Sequence, residues 1–110
     1  MTVKYRVEIV DIASKDINQI YQYIKKYDCI ENARYVFNQL RETIKKLEIL
    51  PQRGSHPYEL YEYGMIEYRE INFKVYRIIY YIEETTKIVS VEMVIDSRRN
   101  LYALLDDRFK

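Results

Sequence analysis

Apolar and polar side chains alternate near the start of the chain, where Val3, Tyr5, Val7 and Ile9 are set against Lys4, Arg6 and Glu8. A period of two marks a half-buried strand, here over Val3–Val10. The period then lengthens. Ala13, Ile17, Ile20, Tyr21, Ile24 and Tyr27 fall at helical spacing, with Asp11 or Ser14 placed to cap the start. A second helix follows at once, because Asp28 and Glu31 have the spacing of a capping box and Ala33, Val36, Phe37, Leu40, Ile44 and Leu47 line one face. At about 20 residues it would be roughly 30 Å long, and Pro51 ends it. Helices joined by so few residues pack as an antiparallel hairpin.

Residues 51–57, Pro-Gln-Arg-Gly-Ser-His-Pro, read as a loop. Beyond Met65 the pattern is extended again. Strands are predicted over Ile66–Phe73 and Lys74–Ile82, with a tight turn near Asn72-Phe73-Lys74. The polar turn Glu83–Lys87 leads to a third strand over Ile88–Asp96. A short tail helix is expected, capped by Asn100 and striped by Leu101, Leu104, Leu105 and Phe109. The order is β-α-α-β-β-β-α, one α+β domain over residues 1–110. It implies an antiparallel sheet of about four strands, covered on one face by the helical hairpin and at least partly open on the other.

Alternation sorts the strand residues between those faces. Tyr76, Ile78, Tyr80 and Ile82 are expected under the hairpin, with Val89, Val91, Met93 and Ile95. Arg77, Ile79, Tyr81, Glu92, Val94 and Asp96 are then expected on the open face. Arg69 is assigned there too, and Arg98 and Arg99 follow directly after the last strand. The candidate site is thus Arg69, Arg77, Arg98 and Arg99, with Tyr81, Glu92 and Lys74 nearby. An arginine flanked by glutamate on a sheet is ordinarily a cross-strand ion pair, but one inside a Tyr/Ile strand, as Arg77 is, is less usual.

Composition narrows the chemistry. A charge of +1 and a pI near 7.7 give no basic arm, so any nucleic-acid contact must rest on a local cluster. Thirteen tyrosines without a tryptophan suit a half-wet sheet or a protein interface. One cysteine rules out an internal disulfide and fits a reducing cytoplasm, no stretch approaches the roughly 20 apolar residues of a membrane span, and no signal peptide is evident. His56 lies in a Pro/Gly loop without an evident acid partner, and Cys29 near a helix start has no neighbouring His or Cys. His56 is read first as a turn histidine, with a general base as its alternative, and Cys29 as a packed or solvent-exposed thiol. No metal-ligand spacing, phosphate-cradling glycine loop or nucleophile elbow is present, so no cofactor or metal is expected.

The helical hairpin, Arg69-Glu70-Ile71, Tyr76-Arg77-Ile78-Ile79-Tyr80 and Ile95-Asp96-Ser97-Arg98-Arg99-Asn100 together resemble the RelE/ParE superfamily of toxins, the plasmid stabilisation proteins. Leu50-Pro51-Gln52-Arg53-Gly54 is similar to the family's segment after its second helix, and the resemblance spans essentially the whole chain. It implies a toxin of a bacterial type II toxin–antitoxin system, growth-inhibiting and masked by a cognate antitoxin, as a homodimer or a toxin–antitoxin hetero-oligomer. Two activities are implied. ParE-like members bind DNA gyrase, which would use Arg98, Arg99, Arg77, Lys74 and Tyr81 by contact. RelE-like members cleave mRNA on the ribosome, which would make Arg77, Arg99, Arg69 and Tyr102 catalytic. That branch's lysines on the preceding strand appear here as Tyr68 and Glu70, and a carboxylate repels a scissile phosphate unless it acts as base. Tyr102 also follows the arginine pair at short spacing. The binding reading therefore leads, with the nuclease second and an inactive relative that only binds antitoxin third.

Overall fold

The first strand is shorter than its alternation suggests. Arg6–Ile9 form β1, and an isolated bridge between Lys4 and Ile49 continues the pairing backwards. In this computed structural model, which describes residues 2–108, helices α1 (Asp11–Tyr27) and α2 (Ile30–Lys45) follow as the expected hairpin. Their caps differ from the sequence reading. Helix α1 starts from Val10 with no side-chain cap. Asp28 belongs to the end of α1, since its N–H still bonds to the Ile24 carbonyl. The cap of α2 thus falls one residue later, on Cys29, whose Sγ accepts from the Asn32 N–H at 3.4 Å.

Ala13, Ile17 and Ile24 of α1 and Ala33, Val36, Leu40 and Ile44 of α2 are buried against the sheet. The second helix stops earlier than expected because its last turn tightens to a 3₁₀ turn over Lys46–Glu48. Another 3₁₀ turn, Pro51–Arg53, and a short helix α3 (Tyr58–Glu62) occupy the stretch read as loop. Strands β2 (Tyr68–Phe73), β3 (Tyr76–Glu83) and β4 (Ile88–Asp96) follow. The tail helix α4 (Leu101–Arg108) is capped as anticipated, Asn100 Oδ1 accepting from the Ala103 N–H at 3.3 Å. Phe109, assigned to its stripe from sequence, lies outside the described residues.

The strand order is β1-β4-β3-β2. The two hairpins are antiparallel, but β1 lies parallel to β4, so the sheet is mixed rather than wholly antiparallel. Direction explains this. The chain leaves α2 beside the start of β1, where the Tyr5 N–H donates to the Glu48 carbonyl and Lys4 bridges to Ile49, so β2 sets out from the same end of the sheet as β1. Two tight hairpins then leave β4 in that same sense.

A bulge redistributes the side chains of β4. Ile79 pairs with Met93 and Tyr80 with Val91, leaving Glu92 unpaired. One extra residue inverts the alternation beyond it. Val89, Val91 and Val94 therefore join Ile78 and Tyr80 under the hairpin, while Met93 and Ile95 turn to the far face beside Ile79. This overturns the expectation that Met93 and Ile95 point inward and Val94 outward. The far face is not open either. Leu60 of α3 and Leu101 and Leu105 of α4 close over Tyr68, Ile79, Met93 and Ile95 as a second core.

Where β4 outruns β1, its bare edge is capped by a side chain from α1. Asp16 Oδ2 accepts from the Val94 N–H at 3.0 Å, and Asp16 Oδ1 accepts from Arg108 Nη2. The pair is nearly buried and ties α4 to the hairpin across the sheet edge. Replacing Asp16 by asparagine keeps a backbone acceptor but removes the charge facing Arg108. We expect a loss of about 1.5–3 kcal/mol, measured by denaturant unfolding. Among the described residues no helix is long and apolar enough to cross a membrane.

Candidate functional site

A concavity of about 770 Å³ opens between the helical hairpin and the ends of β3 and β4. Its floor is apolar, made by Ile20, Ile24, Val36, Val75, Tyr76 and Val94. Its rim is aromatic and charged. Tyr23 and Tyr27, one turn apart on α1, project there 65% and 66% exposed, with ring centroids 4.8 Å apart. Opposite them stand Lys74, Arg98 and Arg99. Lys74 occupies the β2–β3 turn with a positive φ of 52°, and its ammonium lies over the rings of Tyr35 and Phe73 at 4.9 and 5.6 Å. Arg98 is gripped by Asp96 through Nε at 2.8 Å and through Nη2. That contact holds the Asp96 carboxyl below the usual carboxylate range. Arg99 forms no ion pair among the described residues. With Asp28 and Asp96 beside these cations, the rim is a charged, aromatic edge around an apolar floor, which is the anatomy of a protein-binding patch.

The arginines expected to converge do not. Arg77 lies on the far face as expected, but α3 covers it. Its Nη1 and Nη2 donate to Glu59 at 2.8 and 2.9 Å, and its Nε donates to Glu70 at 2.8 Å. All three side chains are more than four-fifths buried. The guanidinium pulls the Glu59 carboxyl below its ordinary range, and the carboxylates raise the Arg77 pKa further. The sheet thus separates Arg77 from Arg98 and Arg99, so the four-arginine surface read from sequence is not assembled.

Arg69 is on the hairpin side, contrary to the sequence assignment. It pairs with Tyr80 across the strands, and its Nη1 donates to the carbonyls of Gln52 and Gly54, each at 2.9 Å. It fastens the 51–54 turn. Tyr80 assists by donating to the Pro51 carbonyl at 2.6 Å, and Gly54 is needed there because a Cβ would meet the Tyr80 hydroxyl at 2.1 Å. Tyr81 packs edge-on against Tyr68 on the far face, near Glu92, which accepts from Ser90 Oγ. Tyr102 sits on the outer surface of α4 and donates to Glu62 at 2.5 Å, which pushes its phenol up to about 12. A phenol so held is poorly matched to proton donation near neutrality. His56 uses Nδ1 on the Tyr68 carbonyl at 2.9 Å. Cys29 is an exposed cap. Among the described residues no three His, Cys, Asp or Glu side chains cluster as metal ligands.

Sequence reading missed Tyr23 and Asp28 on the groove rim, and it placed Tyr27 on the buried stripe. A signal existed in Tyr23 and Tyr27, two tyrosines at i and i+4 flanking Lys25 and Lys26. Asp16, beside Ile17 on the apolar face, was the corresponding sign of a buried carboxylate.

Known proteins resemble this arrangement. Residues 7–101 match the model of a family described as the ParE toxin of the type II toxin–antitoxin system parDE. No curated protein sequence matches. Among solved structures, the chromosomal ParDE toxin–antitoxin system of P. aeruginosa superposes with a TM-score of 0.71 at 14% identity, covering 84% of this chain and 96% of that one. The RelBE2 toxin–antitoxin complex of Mycobacterium tuberculosis gives 0.64 at 17% identity, covering 86% and 92%. The isolated RelE toxin of E. coli gives 0.56 at 17% identity, covering 96% and 99%. At such identities the structural likeness establishes the fold.

Proposed function

Because the chain belongs to the ParE toxin family of type II toxin–antitoxin systems, we propose that it arrests growth by contact with an essential target, DNA gyrase, through the rim of the hairpin–sheet groove. Lys74 and Arg99 supply positive charge, Arg98 adds a guanidinium shared with Asp96, and Tyr23 and Tyr27 supply apolar area at the same edge. A cognate antitoxin neutralises the toxin by occupying this groove with a segment that offers apolar side chains to the floor and carboxylates to the rim. Such complementarity steers encounter as well as holding the complex.

The observation that carries this reading over a nuclease is the state of Arg77. A guanidinium already held by two carboxylates has little charge left for a phosphate, and Glu59 and Glu70 repel one. Arg69 and Tyr102 are likewise committed, to the Gln52 and Gly54 carbonyls and to Glu62. Purified protein is expected to inhibit gyrase supercoiling while leaving mRNA intact in a reconstituted translation assay. Normal supercoiling at saturating protein, or cleavage at A-site codons, would overturn the assignment of target or mechanism respectively.

A further inference from the structure

The surface on the other side of the sheet has a different character. From Gly54 to Tyr68 the sequence holds four tyrosines and three glutamates and no lysine or arginine. Three of those tyrosines stay on the outside of the fold. Tyr58, Tyr61 and Tyr63 are 56–68% exposed, although Leu60 between them is fully buried. Helix α4 adds Tyr102, 40% exposed, whose ring meets Tyr63 edge-on at 6.2 Å. Glu62 stands among them, accepting from Tyr102 and lying beside the Tyr58 phenol. These hydrogen bonds hold its carboxyl below the ordinary range, so it stays ionised where the phenols surround it. Unlike Glu59 and Glu70, it forms no ion pair among the described residues.

Exposed tyrosines at this density mark contact surfaces, since they bring large apolar area at low entropic cost. Unpaired carboxylate charge among aromatic faces selects the partner. An anion such as a nucleic-acid backbone is repelled, whereas a guanidinium can stack on a tyrosine ring and pair with a carboxylate together. We propose that the Tyr58–Glu62–Tyr63–Tyr102 patch is a second protein-docking surface, taking an arginine-bearing segment of a partner. It is separate from the hairpin–sheet groove and goes beyond the toxin reading, for which only the groove is used. The chain then has two interfaces of different charge character on opposite sides of one sheet.

The test is titration of the isotope-labelled 110-residue chain with an eight-residue Arg-Gly repeat peptide, followed by NMR, with the matching Lys-Gly peptide as charge control. Expected shifts centre on Tyr58, Glu62, Tyr63 and Tyr102. Affinity for the arginine peptide should be about threefold or more above that for the lysine peptide, as stacking requires. The double change Tyr58→Ala with Tyr63→Ala should weaken binding about fivefold or more, and Glu62→Gln should weaken it independently, each with Tm essentially unchanged. Shifts elsewhere on the chain, or equal affinity for the two peptides, would overturn the proposal. So would binding of a single-stranded oligonucleotide at the patch, or concentration-dependent self-association through it. Gyrase inhibition and growth arrest do not enter this readout, so its failure leaves the groove assignment standing, and the reverse.

Discussion

Replacing Arg77 by alanine is expected to destabilise the fold by about 3–5 kcal/mol, because it leaves Glu59 and Glu70 facing each other without their shared cation. A domain of this size has roughly 5–15 kcal/mol in all, so the variant should unfold at a Tm lower by about 12 °C or more. The effect belongs to the uncompensated charges and not to the arginine alone. Exchanging all three groups together, Arg77→Met with Glu59→Gln and Glu70→Gln, should therefore recover most of the stability. The pH dependence follows from the depressed Glu59 pKa. A carboxyl whose folded pKa lies below its unfolded value stabilises above the unfolded value and loses that contribution as pH falls through the folded one. The wild type should thus lose this contribution below about pH 4.5, and the triple variant should show a flatter acid limb. Guanidinium chloride titrations across that range provide the check. A single alanine variant as stable as wild type would show that the cluster contributes nothing.

The second large effect is expected on function with little on the fold. Arg98→Glu with Arg99→Glu reverses the charge of the groove rim at two exposed positions. Removing the Arg98–Asp96 pair should cost little stability, since the arginine is solvent-exposed. Binding that depends on the rim should fall by about 10²-fold or more, because acidic side chains of the partner would then meet like charge. Supercoiling inhibition titrated against this variant, with its Tm recorded alongside, measures both. Undiminished inhibition by a well-folded double variant would remove the rim from the account.

The helical hairpin, the three closing strands and the capped tail helix were legible because each depends on local signals: period, turn residues, a cap. The topology around β1 was not, since its parallel placement depends on α2 bringing the chain back beside Tyr5 rather than on any residue within the strand. The face assignment failed at Glu92. A bulge leaves no mark in an alternating apolar strand, and Val94 and Met93 are equally suited to either core. Arg69 was misplaced because its strand has apolar residues on both faces, and only the 51–54 turn, remote in sequence, reveals which carbonyls it serves. Arg77 was placed on the right face yet misjudged in role, since Glu59 comes from a five-residue helix whose apolar pattern is too short to read. Lys74, Arg98 and Arg99 share one concavity, but as the rim of a groove on the hairpin side rather than as part of an exposed arginine field.

The separation of Arg77 from the groove rim is tested most directly by inducing two variants in growing cells without the antitoxin. One is the charge-free Arg77→Met, Glu59→Gln, Glu70→Gln protein, and the other is Arg98→Glu with Arg99→Glu. Growth arrest is expected from the first and continued growth with the second at equal expression. Continued growth with the first and arrest by the second would contradict that separation.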